Sequence, residues 1–134
     1  MNKLSDKSAL QEKALNSISD WSKWLIGLNF TSGAGCIAVL QQGVTASMKF
    51  YLVGAVFFFA FSAAVTAFVL ANLPMIIQRL PLHTKKGEPR DIYDFWIFSP
   101  GLSLQLLTII QLLLFITGLA FLFAWMLLKP VPAN

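Results

Sequence analysis

Between positions 50 and 77 the chain runs for twenty-eight residues without a formal charge, and Asn72 is the only strongly polar side chain among them. As a helix this run reaches about 42 Å at 1.5 Å per residue, well beyond the roughly 18 apolar residues that mark a membrane-spanning segment. It predicts a transmembrane helix with length to spare. Two further apolar stretches, residues 24–43 and 101–128, predict a first and a third span.

The expected fold is therefore an all-α membrane protein with three transmembrane helices. An N-terminal amphipathic helix and a short interfacial helix before the third span complete it. Hydrophobic residues make up 57% of the 134 and charged ones only 12%, against about 25% charged in a soluble domain. The segments outside the spans are too short to bury a core of their own. The chain reads as a single membrane domain: a cytoplasmic arm at 1–23, spans at 24–43, 50–77 and 101–128, and a cytoplasmic loop at 80–100.

The net charge of +4 follows topology and is no mark of a nucleic-acid partner. Lys3, Lys7, Lys13 and Lys23 precede the first span, and Arg79, Lys85, Lys86 and Arg90 lie between the second and third, leaving Lys49 and Lys129 for the other side. The positive-inside rule makes the richer side cytoplasmic. The expectation is an integral protein of a bacterial inner membrane, with the N-terminus inside and the C-terminus outside.

In the arm, Ser8 and Gln11 fit a capping box, and Leu10, Ala14, Ile18, Trp21 and Leu25 share one helical face. Within the first span Gly27, Thr31, Ala34, Gly35 and Ala38 form a stripe almost without side-chain bulk, and in the second Ala60, Ala64, Ala67 and Ala71 form another. Such stripes let backbones approach closely, which is how helices associate in lipid. Phe57, Phe61 and Phe68 lie beside the second stripe.

Asn29, Asn72 and Gln105 fall at similar depths, about 6 to 7.5 Å inside the cytoplasmic boundary, and Gln111 stands about 15 Å deep. These amides make a candidate polar layer between the helices. Pro74 removes a helical N–H and predicts a kink, with the helix ending near Ile77. In the loop, Lys85, Lys86 and Arg90 are candidates for contact with anionic lipid. Asp91 is a candidate cap for an interfacial helix over 91–98.

Ala34, Gly35 and Cys36 resemble the end of a lipoprotein signal. Gly33 occupies the place of its large aliphatic residue, however, and Asn29, Thr31 and Ser32 interrupt the apolar run, so Cys36 reads as a packing residue. His83 has no second histidine or nearby cysteine with which to hold a metal. No nucleophile and base pair appears, and the spans carry no ionisable side chain of the kind coupled transport requires. No enzymatic activity, cofactor, metal or small-molecule substrate is expected.

Two function classes remain. One is a non-catalytic interaction or assembly subunit in the bilayer, packing with copies of itself or with a larger membrane-protein partner. The other is an oligomeric pore, holin-like or toxin-like, lined by Asn29, Asn72, Gln105, Thr108 and Gln111.

Overall fold

The computed structural model describes residues 3–84 and 103–128, with side chains for 9–78 and 103–128. Three helices carry the architecture: α1 (Lys3–Gln41), α2 (Ala46–Thr84) and α3 (Leu104–Leu128). All three are long and apolar enough to cross a membrane, and no strand occurs among the described residues. The chain is an all-α membrane protein of three spans.

A short turn sets the topology. Gly43 takes φ +86° just after α1, the left-handed position that glycine fills without strain at a helix end. The amides of Met48 and Lys49 then both donate to the Thr45 carbonyl at 3.0 Å to start α2. With four residues between them, α1 and α2 are antiparallel neighbours. α3 also packs along α2, so α2 is the element both others share.

Two boundaries differ from the sequence reading. The arm over 1–23 is not a separate helix: α1 continues without a break from Lys3 to Gln41. No glycine or proline occurs between positions 3 and 26 to interrupt it. Its inward face is also rotated, since Leu15 is fully buried and Ala14 and Ile18 pack beside it, whereas Leu10 and Trp21 are exposed. Likewise, α2 passes through Pro74 and Pro81 to Thr84, so residues 80–84 are helix and not loop. Pro74 lies on the exposed face, and Ile76 beyond it is buried in one cluster with Leu15 and Leu104. The interfacial helix expected over 91–98 lies outside the described residues.

At 39 residues each, α1 and α2 extend about 58 Å, nearly twice the ~30 Å apolar core of a bilayer. α3, with 25 residues, extends about 37 Å and fits that thickness. Leu15, Val69, Leu73, Ile76, Leu104 and Leu107 form one apolar cluster that sets the start of α3 level with Leu15 and Ile76. Toward the turn, Cys36, Leu52, Ala55, Phe59 and Trp125 form the second.

The α2–α3 seam is built from two glycine notches. A Cβ added at Gly118 would stand 2.8 Å from the Phe59 ring, and one added at Gly54 would stand 2.8 Å from the Phe121 ring. Each helix thus lends a glycine to receive the other's phenylalanine. Neither glycine belongs to the stripes that the sequence brought forward.

Candidate functional site

Both small-residue stripes face away from the other helices. Gly27, Thr31, Ala34, Gly35 and Ala38 on α1 are all exposed, as are Ala60, Ala64, Ala67 and Ala71 on α2. A Cβ at Gly27 or Gly35 would meet nothing within 4 Å. The reason is rotational: the inward positions of α1 are Leu15, Ser22, Leu25, Asn29 and Cys36, and at 100° per residue the stripe falls on the opposite side. On α2 the inward positions are Leu52, Ala55, Phe59, Ser62, Thr66, Val69 and Leu73, and the alanines again fall opposite.

The Thr31 hydroxyl donates to the Gly27 carbonyl at 2.9 Å, which keeps the α1 stripe smooth and apolar. Beside the alanines, the rings of Phe57 and Phe61 stack with centroids 6.1 Å apart. The outward side of α2 therefore carries a flat alanine strip and an aromatic ridge together.

Between the two apolar clusters lies a polar layer. The Asn29 side-chain amide donates to the Ser62 hydroxyl at 3.1 Å and to the Leu25 carbonyl at 2.9 Å. Ser62 in turn donates to the main-chain carbonyl of Gln111 at 2.9 Å. Thr66 returns its hydroxyl to the Ser62 carbonyl at 2.7 Å. One hydroxyl thus ties all three helices together. Asn29, Ser62, Thr66 and Gln111 are each at most 2% exposed. The side-chain oxygen of Asn29, both polar atoms of the Gln111 side chain and the Ser22 hydroxyl are buried without a protein partner.

Of the four amides proposed as a layer, the structure brings Asn29 and Gln111 together through Ser62. Asn72 donates instead to the Phe68 carbonyl of its own helix at 2.7 Å, and Gln105 is exposed. Thr108 donates to the Leu104 carbonyl at 2.9 Å. Ser62 and Thr66 escaped the sequence reading because a single hydroxyl in a run of Phe and Ala resembles any small residue. Their only sequence signal is the four-residue spacing that puts both on one face. Lys85, Lys86 and Arg90 lie outside the described residues.

Among the described residues no group of three His, Cys, Asp or Glu could hold a metal. Lys23 meets Asp20 at 3.5 Å with both side chains largely in the open, where an ion pair contributes little. A cavity of about 250 Å³ at the turn between α1 and α2 is lined by Val39, Thr45, Met48 and Trp125 among others, with no charged side chain in its wall. No family model, curated protein or solved structure matches the chain. Fold and surface together define a three-span helical membrane protein whose smoothest faces point outward.

Proposed function

We propose that this protein is a non-catalytic interaction or assembly subunit of the membrane, joining copies of itself or a larger membrane protein through the outward stripes of α1 and α2. One observation carries the reading: the small-residue stripes of α1 and α2 take no part in the internal seams, where Gly54 and Gly118 receive the rings of Phe121 and Phe59 instead. A helix facing only lipid gains nothing from a smooth strip, because lipid tails make equal contact with bulky apolar side chains. Another helix gains close backbone approach from it.

The polar side chains support the same reading over a pore. A conducting lining needs them on one shared face, whereas Asn29 and Gln111 point into the bundle and Gln105 points out of it. The basic segment with Lys85, Lys86 and Arg90 is proposed to touch anionic headgroups. The charge bias argues for a cytoplasmic N-terminus, as in a bacterial inner membrane.

The test is sizing of the full chain on native gels in mild detergent, with helicity followed by circular dichroism. Replacing Ala64 and Ala67 by Leu on α2, or Gly35 by Leu on α1, is expected to reduce a complex to the single chain while helicity is retained. Unchanged migration of both variants would sink the proposal. Rapid depolarisation of cells expressing the protein, read with a potential-sensitive dye, would favour the pore instead.

A further inference from the structure

We propose that the layer between the two apolar clusters is a binding site for water, one or two molecules held between the side-chain amides of Gln111 and Asn29 inside the bundle. Gln111 is fully buried and neither its nitrogen nor its oxygen has a protein partner, and the side-chain oxygen of Asn29 is equally open. Buried amides in that condition are rare, and burial without a hydrogen bond costs them several kcal/mol in hydrocarbon.

No neighbouring hydroxyl proton is free for the two amide oxygens. The Ser62 hydroxyl proton is committed to the Gln111 main-chain carbonyl, and the Thr66 hydroxyl donates to the Ser62 carbonyl. The Asn29 nitrogen already donates twice. What remains is two donor hydrogens and an acceptor oxygen on Gln111 and an acceptor oxygen on Asn29, beside hydroxyl oxygens that can only accept.

That set selects the ligand. No charged side chain stands in the layer, so an ion would be buried without a counter-charge. Donors and acceptors occur together, so the ligand must offer both. Side chains at most 2% exposed, in a layer with an apolar cluster on either side, restrict it to a very small molecule. Water accepts from the Gln111 nitrogen while donating to the Asn29 oxygen, within the two to four partners that buried waters make.

The test is water-edited solid-state NMR on isotopically labelled protein in lipid bilayers, reading transfer from water protons to the Gln111 side-chain amide. The backbone amides of Phe59 and Leu107, in the dry clusters on either side, are the internal references. Transfer to Gln111 is expected to build up several-fold faster than to either reference. In a Gln111→Met chain the Asn29 side-chain amide should lose part of its own water contact. Transfer to wild-type Gln111 no faster than to Phe59 and Leu107 would overturn the proposal, as would a direct hydrogen bond from Gln111 to Asn29. The wild-type measurement decides even if the variant does not fold.

Discussion

At Gly118 the fit between two helices comes down to the absence of one methyl group. The Phe59 ring that fills the notch is 1% exposed and also packs against Phe115, so it has nowhere to retreat. Gly118→Ala is expected to destabilise the bundle by about 1–3 kcal/mol, the usual range for overpacking a tight core, measured by thermal unfolding in detergent. Gly54→Ala should be milder, because the Phe121 ring opposite is only partly buried and can swing. The polar layer offers a second test at this scale. Asn29→Leu and Ser62→Ala should couple in a double-mutant cycle by about 0.6–1.7 kcal/mol. Asn72→Leu and Gln105→Leu should instead add within about 0.5 kcal/mol, as sites with no shared partner do.

For the individual helices, existence was easier to read than extent. Charge-free runs announce a span on their own, and the turn at Gly43 is short enough to force antiparallel packing, so three helices and the α1–α2 pairing were legible. Length was not, because it depends on what lies beyond each apolar run. The polar residues before Trp21 continue α1 since nothing breaks them and Leu15 finds a distant core, and α2 outlasts Pro74 for the same reason. Rotation was the other gap. A stripe can be counted from spacing, but which way it faces is decided by the residues opposite it. Here those are Leu25, Asn29 and Cys36 on α1 and Phe59, Ser62 and Thr66 on α2. α3 supplies a local check. The Ser103 hydroxyl accepts from the Leu106 amide at 3.2 Å, the N-cap arrangement, and Ser103→Ala is expected to cost about 1 kcal/mol of stability in the same unfolding assay.

Taken whole, the molecule is a bundle whose packed interior leaves two smooth exteriors, on α1 and on α2. Its orientation can be tested directly. In a Cys36→Ala background, single cysteines at Ser5 and Asn134 should be labelled by a membrane-impermeant maleimide from opposite sides, with Asn134 reactive in intact cells and Ser5 only after lysis. Labelling of both from one side would refute the three-span topology. The position of α2 between its neighbours also has a consequence for the order of events at the ribosome. The α1–α2 hairpin is a local structure closed by four residues, so it can form while α3 is still being made. The Asn29–Ser62 contact lies within that hairpin, whereas the Gln111 carbonyl that accepts from the serine hydroxyl belongs to α3. The helix that follows the hairpin is thus met by that hydroxyl through an atom of its main chain, whatever side chain stands at position 111.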